Sequence, residues 1–332
     1  MPVCVTISAL DAGHLTLPEY LFVTDAEPGK RATVPSLAFL IQHPSSPPSR
    51  PSSSTTNIVF DLGIKRDLSG YAPSQEAHIA DRQPIITDPD CATSLRKGNL
   101  EPATDVDIVI LSHMHWDHVG TPSDFPSAAF VVGSGTLDML LHGAGPLYPA
   151  DIFNDDEIPA SRTVDLPTVM RARGDGKYQE PRHTAATKEA RERLPTAASD
   201  WAWKPLAAFP AALDFFGDGS LNVIDAPGHL YGHVNLLARV GEKRYVYLGG
   251  DCCHDPRILR GEKGIALYDD GRGGLRSVHV HTDEAQQTLD RIGEFVKLKA
   301  VEGVKDVEVE VVVAHDGEWR EKNSHRFWPG TL

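Results

Sequence analysis

The chain has 332 residues, and 41% of them are hydrophobic, a share that suits a substantial folded core rather than a disordered chain. Its formal net charge is −14, so binding to a phosphate backbone would work against the protein's own electrostatic field. We therefore expect a globular protein that has no nucleic-acid partner.

Short segments rich in β-branched residues and bounded by Gly, Pro or Asn predict strands along most of the chain. The predicted strands are residues 3–10, 36–43, 57–63, 106–112, 128–133, 220–226, 233–240, 244–250 and 307–314. Helices are predicted at 135–143 and 282–300, and Thr282 is the expected N-cap of the second one. Five apolar residues form the predicted buried stripe of that helix: Leu289, Ile292, Phe295, Val296 and Leu298. This mixture predicts sheets that are covered by helices.

Two segments lack a clear periodicity. Residues 44–56, "PSSPPSRPSSSTT", are predicted to form an exposed Pro/Ser-rich hairpin loop that packs against nothing. Residues 144–218 contain scattered aromatic residues and are interpreted as a long, partly helical insertion over one edge of the core. We expect one domain over residues 1–332.

The sequence has no apolar run of ~18 residues and no basic start followed by a long apolar segment, so neither a membrane span nor a secretory signal is predicted. Its four cysteines are too few and too irregularly spaced for a disulfide framework. These features favour a cytoplasmic protein that has no membrane partner.

The stretch "SHMHWDH" comes directly after the predicted buried strand 106–112. His113, His115 and Asp117 alternate along the chain, so an extended backbone sends their side chains to one side. His118 joins them if the chain turns after Asp117. Imidazole nitrogens and carboxylate oxygens are ordinary zinc ligands, and the stretch therefore predicts a metal site.

Three more potential ligands each follow a strand-like segment: His229, Asp251 and His315. One zinc ion takes about four ligands, so seven suit two ions. Asp251 has two carboxylate oxygens and can bridge ions that lie about 3.5–4 Å apart. The sequence thus predicts a dinuclear site at one edge of a β-sandwich.

The motifs "SHMHWDHVG", "DAPGHLYGHVNLL", "LGGDCCHDP" and "AHD" resemble those of the metallo-β-lactamase superfamily, and within it those of the N-acyl-homoserine lactonases. The resemblance spans roughly residues 35–318. It implies an α/β (α+β) fold, the four-layer αββα sandwich of the metallo-β-lactamase fold. The implied ligands are His113, His115 and His229 for the first metal, Asp117, His118 and His315 for the second, and Asp251 between them.

The implied cofactors are two Zn²⁺ ions, with iron or manganese as alternatives. The expected reaction opens a small cyclic ester, similar to an N-acyl-homoserine lactone, by attack of a metal-bridging hydroxide on the ring carbonyl. Asp117 is the expected proton shuttle. Lactonases of this branch usually have a tyrosine three residues after the bridging aspartate; His254 stands there instead, and we expect it to donate the corresponding hydrogen bond to the substrate.

Several alternatives stay open at the sequence level. The first is opening of a cyclic amide, which would make the chain a lactamase that detoxifies a xenobiotic or a plant defence compound. The others are a non-catalytic binding protein that kept the fold, and a redox enzyme that uses iron at the same ligands. His115 argues against flavin-coupled di-iron relatives, which usually have a glutamate there. The expected partner is a small lactone or lactam, and the chain is expected to be a monomer or a homodimer.

Around the predicted ligands, Asp61 is expected to orient a ligand histidine, and His233 to have a structural role. Trp116 is expected to face the substrate pocket. Three further aromatic residues are candidates for an apolar pocket wall: Tyr231, Trp201 and Trp203. The remaining histidines, His279 among them, are assigned no metal role.

Overall fold

The computed structural model describes residues 2–154, 156–169, 182–271 and 273–332, and within them the chain forms two six-stranded sheets. The first sheet follows chain order, with three strands paired antiparallel and the later ones parallel. Its strands are β1 (Thr6–Pro18), β2 (Arg31–His43), β3 (Thr56–Phe60), β4 (Ile108–Ile110), β5 (Ala129–Val132) and β6 (Thr163–Asp165).

The second sheet is antiparallel except for its last pair of strands, where the final strand of the chain lies parallel to its neighbour. Its first five strands are β7 (Lys204–Leu206), β8 (Phe209–Asp214), β9 (Leu221–Asp225), β10 (Val234–Arg239) and β11 (Arg244–Leu248). Two short ribbons follow, β12 (Tyr268–Asp269) with β13 (Leu275–Arg276), and β14 (Ala300–Val301) with β15 (Val304–Lys305). The sheet is completed beside β11 by β16 (Glu308–Val312).

Helices connect the strands, and most of them are short. They are α1 (Glu76–Ala80), α2 (Cys91–Lys97), α3 (Pro102–Asp105), α4 (Trp116–Val119), α5 (Thr136–His142), α6 (Lys188–Glu192), α7 (Pro256–Leu259), α8 (Thr282–Leu298) and α9 (Gly317–Lys322). Across the described ranges, no helix combines the length and the apolar character that crossing a bilayer requires.

The two sheets pack face to face, and helices cover their outer faces. Ile58 and Phe60 of β3 belong to the apolar layer between the sheets, whereas Val59 belongs to the layer beneath the helices. This alternation is what a strand buried on both faces requires. On the second sheet, Phe295 of α8 packs against Tyr247 of β11. The predicted αββα sandwich is confirmed.

Each of the nine predicted strands overlaps an observed one, but β1 extends to Pro18, and three strands of the two large sheets and the four short ribbon strands were missed. The missed strands β6, β7 and β8 lie within 144–218, so part of that segment extends the two sheets. The predicted N-cap of α8 is wrong: His281 is the N-cap residue, and the Thr282 hydroxyl contacts Ser277. Val296 and Leu298 are exposed because the buried stripe of the helix includes Ala285 and Thr288 instead.

The prediction that residues 44–56 pack against nothing is also wrong. Arg50 of this loop forms a two-pronged ion pair with Asp107, whose carboxylate is buried just before β4. Ser49 donates a third hydrogen bond to the same carboxylate at 2.6 Å, and Pro47 is buried. A buried carboxylate is costly unless it is paired, so its ion pair and hydrogen bonds fix the loop against the first sheet.

Candidate metal centre

All seven predicted metal ligands come together at the carboxyl ends of β4, β9, β11 and β16. His113 and His115 follow β4, and the next two predicted ligands lie on α4. The turn after β11 passes very close to them: Gly250 has φ +46°, and a Cβ there would lie 3.0 Å from the Ser112 Cβ. A glycine allows the loop that carries Asp251 to approach this closely.

Three imidazole nitrogens form the first donor set. His113 Nε2 lies 2.9 Å from His115 Nδ1 and 3.1 Å from His229 Nε2, and the last two atoms are 2.9 Å apart. Hydrogen bonds cannot satisfy such a triangle, because each nitrogen either carries a proton or does not, and so at least two of the three are alike. A tetrahedral zinc with Zn–N bonds of about 2.0–2.1 Å brings its nitrogens to about 3.3 Å from each other, close to this spacing. The donor set therefore fits one cation.

Asp117, His118 and His315 form the second donor set, with their ligand atoms within 4.8 Å of one another. His315 Nε2 lies 3.5 Å from Asp117 Oδ2. Within the part of the chain that is described, the buried Nε2 atoms of His118 and His315 have no hydrogen-bond partner of acceptable geometry. Orphaned buried nitrogens are costly unless something binds them, which again fits a cation.

Asp251 lies between the two donor sets. Its Oδ2 faces the first set, 3.5 Å from His229 Nε2 and 3.8 Å from His113 Nε2. Its Oδ1 faces the second set, 3.1 Å from His118 Nε2 and 3.2 Å from His315 Nε2. Each oxygen of this one carboxylate thus belongs to a different donor set, which is the arrangement of a bridging ligand.

The protonation states of the first donor set suit metal binding. Burial lowers the pKa of His113, His115 and His229 well below the ordinary histidine value, so all three are neutral near pH 7. A neutral imidazole is the form that binds a metal, because one ring nitrogen then has a free lone pair.

Asp251 and His118 shift each other's pKa values in opposite directions. Burial alone would raise the pKa of Asp251, but the surrounding histidines, His118 above all, lower it well below the ordinary aspartate value. Burial alone would likewise lower the pKa of His118, but Asp251 and Asp61 outweigh it and raise that pKa well above 6.5. The site therefore concentrates negative charge that attracts either a proton or a metal cation.

Contacts behind the ligands fix their orientation. Asp61 Oδ2 lies 2.8 Å from His118 Nδ1, as the sequence predicted. His315 Nδ1 lies 2.8 Å from the Pro35 carbonyl oxygen. His233 accepts a hydrogen bond from the Asp251 backbone N–H at 3.2 Å, so its structural role is to hold the loop of that carboxylate. Such partners set which ring nitrogen faces the metal.

A cavity of about 170 Å³ opens onto the donor sets. Trp116, Asp117 and His254 line it, as expected. His254 Nε2 lies 3.1 Å from Asp251 Oδ2, and its ring stacks on that of His315 with centroids 5.5 Å apart. The remaining wall is mainly apolar, with Leu15, Leu17, Phe22, Leu147, Ile152 and Val278.

The predicted aromatic wall is wrong. The indole N–H of Trp201 donates to the Phe215 carbonyl and that of Trp203 to the Pro167 carbonyl, and both rings pack against the apolar layer between the sheets. Tyr231 lies beside His281 rather than in the cavity lining. The two tryptophans thus help to close the sandwich core rather than line the cavity.

Several residues of the site were not predicted from the sequence. The Tyr148 ring is tilted by 37° against the His115 ring, with centroids 4.9 Å apart, and His78 and Arg82 line the cavity near α1. His279 lies directly behind His229, with their Nδ1 atoms 3.1 Å apart. Only His279 had a usable sequence signal, since "VHVH" repeats the alternation of the ligand motif just before α8.

No family model matches the chain. Among curated proteins, it is 32% identical over 345 residues to "Cytochrome P450 monooxygenase mpaDE" of Penicillium brevicompactum, covering 99% of this chain and 35% of that protein. The chain thus spans about a third of the length of the first curated relatives that it matches. It is also 31% identical over 199 residues to "Gamma-lactamase MBL2" of Gibberella moniliformis, covering 59% of this chain and 70% of that protein.

Among solved structures, an N-acyl homoserine lactone hydrolase with N-hexanoyl-L-homoserine at its catalytic metal centre superimposes with a TM-score of 0.61. The identity is 16%, and the alignment covers 100% of both chains. This likeness shows the fold. Together with the γ-lactamase relative, it shows that the chain belongs to the metallo-β-lactamase superfamily.

Proposed function

We propose that the protein is a dinuclear zinc hydrolase that opens a small cyclic ester. The observation that supports the proposal most directly is the position of Asp251, whose two oxygens each face a separate set of buried donors. Imidazole and carboxylate donors of this kind suit zinc, and iron or manganese are the alternatives. The cavity of about 170 Å³ suits a small ring.

His113, His115 and His229 would hold one ion, Asp117, His118 and His315 the other, and Asp251 would bridge them. Two bound zinc ions would activate a water molecule near neutral pH and polarise the ring carbonyl. The protein's own contribution is to keep the site dry: the seven donor residues are nearly buried, and Phe22 and Trp116 border them.

Two residues have proposed roles in the chemistry. His254 lines the cavity beside Asp251 and would donate a hydrogen bond from Nε2 to the carbonyl oxygen as negative charge develops there. Asp117 lines the same cavity and would carry a proton to the leaving oxygen as the ring opens.

Opening of a lactam ring is the second candidate, and the 31% identity to a γ-lactamase favours it. An amide nitrogen leaves only when it is protonated, so this reaction would depend more on Asp117 than lactone opening does. A lactam substrate would make detoxification of a xenobiotic or plant defence compound the natural role.

The test is mass spectrometry of small lactones and lactams after incubation with zinc-loaded protein, looking for the gain of one water molecule. Asp251→Asn should abolish ring opening, because one carboxylate oxygen is replaced by an amide N–H₂ that cannot bind a metal. Asp200→Asn, at an exposed position, is the matched control. Opening of lactams alone would select the second candidate, and no opening by metal-loaded protein would refute both.

A further inference from the structure

His279 forms an unusual contact with one of the proposed ligands. Its Nδ1 lies 3.1 Å from His229 Nδ1, on the side of the His229 ring opposite the first donor set. Both side chains are only 2% exposed, so water cannot stand in for either partner. The two Nδ1 atoms therefore have only each other as partners on this side, and one of them must donate a hydrogen bond that the other accepts.

The backbone holds the two histidines at this distance. The N–H groups of Val280 and His281 donate to the carbonyl oxygens of His229 and Gly228, at 3.0 and 2.9 Å. The Ser277 hydroxyl oxygen accepts a hydrogen bond from the His279 N–H at 3.1 Å. The segment 277–281 therefore lies along the backbone of the His229 loop like a strap, and the contact between the rings is built into the fold.

We propose that His279 is a positioning residue that fixes the tautomer of His229, an inference that rests on the proposed metal position. His229 must keep the lone pair of Nε2 free for the first donor set, so its single proton belongs on Nδ1. His279 Nδ1 then accepts that proton's hydrogen bond and carries its own proton on Nε2. If His279 were protonated on Nδ1 instead, His229 would carry its proton on Nε2 and point it into the donor set.

The choice of a histidine for this position has a physical reason. The usual partner behind a metal-bound histidine is a carboxylate or a backbone carbonyl. Asp61, Asp117 and Asp251 already place three carboxylates in or behind this site. An imidazole acceptor orients His229 without burying another negative charge beside them, which would be costly.

The test compares His279→Ala with His279→Asn, whose amide oxygen can occupy the position of Nδ1 and accept the same hydrogen bond. Long-range proton–nitrogen NMR reports the His229 tautomer, and chelator competition with zinc reports metal affinity. We expect wild type and His279→Asn to keep the proton on His229 Nδ1, with affinities within about threefold of each other. His279→Ala should lose that single tautomer and bind the first ion roughly 10–100-fold more weakly.

His281→Asn is the matched control, because it lies on the same strap but contacts Tyr231 and remains a suitable N-cap for α8. Unchanged tautomer and affinity in His279→Ala would overturn the inference. So would a His279→Asn variant as weak as His279→Ala, because the contact would then act by packing alone. Neither readout uses turnover, so wild-type protein that binds zinc but opens no ring would refute the proposed function and leave this test intact.

Discussion

Four of the five histidines of the candidate centre have a defined partner on the ring nitrogen that faces away from the donor sets; in the fifth, His115, that nitrogen (Nε2) is buried without a hydrogen-bond partner. His315 is held by the Pro35 carbonyl, His118 by Asp61, His113 by the Ser112 hydroxyl and His229 by His279. An imidazole has only two nitrogens, so a fixed partner on one decides what the other can bind. These outer contacts therefore determine which nitrogen of each of the four histidines can act as a ligand.

Asp61→Asn tests this reasoning at the second donor set. An amide N–H₂ facing His118 Nδ1 would force the His118 proton onto Nε2, the nitrogen that faces Asp251. We expect one of the two zinc ions to bind roughly 10–100-fold more weakly, measured by chelator competition. Asn tolerates the left-handed backbone of this residue, φ 60°, so the fold should be retained. Equal loss of both ions would contradict the assignment of Asp61 to one set.

The seven donors were predictable because each directly follows an apolar strand, and the carboxyl ends of neighbouring strands meet in space. Their roles as metal ligands stay a prediction. His279 was not predicted because its significance depends on the strap that pairs with the His229 loop, a contact between segments 50 residues apart. The cavity wall from β1, with Leu15 and Leu17, depends on tertiary packing in the same way.

At the level of elements, strands with a continuous apolar run were recognised, whereas β6, β7 and β8 within 144–218 were not. Strands such as β4 and β5 are fully buried and continuously apolar, whereas β7 is only three residues long and mostly exposed. A short edge strand has half the burial of an interior one and so leaves a weaker pattern in the sequence. The Pro/Ser-rich loop was misjudged because its anchors, Arg50 and Ser49 on Asp107, are tertiary contacts that the loop's composition does not reveal.

Arg50→Ala should therefore destabilise the protein although it lies in a low-complexity loop. Asp107 would lose both prongs of its ion pair while remaining buried just before β4. We expect the free energy of unfolding in urea to fall by about 2–3 kcal/mol. Arg260→Ala, which removes an exposed pair with Glu262, should cost less than about 1 kcal/mol. Equal effects of the two variants would show that the loop is not anchored in solution.

Substitution by alanine is expected to change the stability of the protein in opposite directions at two glycines, Gly228 in the His229 loop and Gly293 in α8. Gly228 has φ +121°, and a Cβ there would lie 2.1 Å from the backbone nitrogen of Ala285 in α8. Gly228→Ala should cost about 3 kcal/mol of unfolding free energy and weaken zinc binding, because it displaces the loop of His229. Gly293→Ala, within α8 and with open space around it, should stabilise by roughly 0.5–1 kcal/mol. If Gly228→Ala changed neither the unfolding free energy nor the zinc affinity, the His229 loop would not be packed tightly against α8 in solution.

At the level of the whole molecule, the sandwich buries carboxylates outside the candidate centre as well, in a chain with a net charge of −14. Asp165, at the end of β6 on the edge of the first sheet, is 1% exposed. Its Oδ2 accepts hydrogen bonds from the Gly135 and Thr184 N–H groups, at 3.1 and 2.9 Å. Burial outweighs these bonds and raises the pKa of Asp165 to about 6.

This shift makes the stability of the fold depend on pH in a defined direction. Between the ordinary aspartate pKa of 3.8 and about 6, the folded state binds more protons at Asp165 than the unfolded state does, so the contribution of Asp165 to stability falls as pH rises. The Asp165→Asn side chain cannot ionise, so this variant does not lose stability from this position as pH rises. We expect the variant to match wild type near pH 4 and to exceed it by about 1–3 kcal/mol at pH 7, measured by urea unfolding at each pH. Asp200→Asn should show no such trend. A constant difference between Asp165→Asn and wild type from pH 4 to 7 would show that the pKa of Asp165 is the same in the folded and unfolded states.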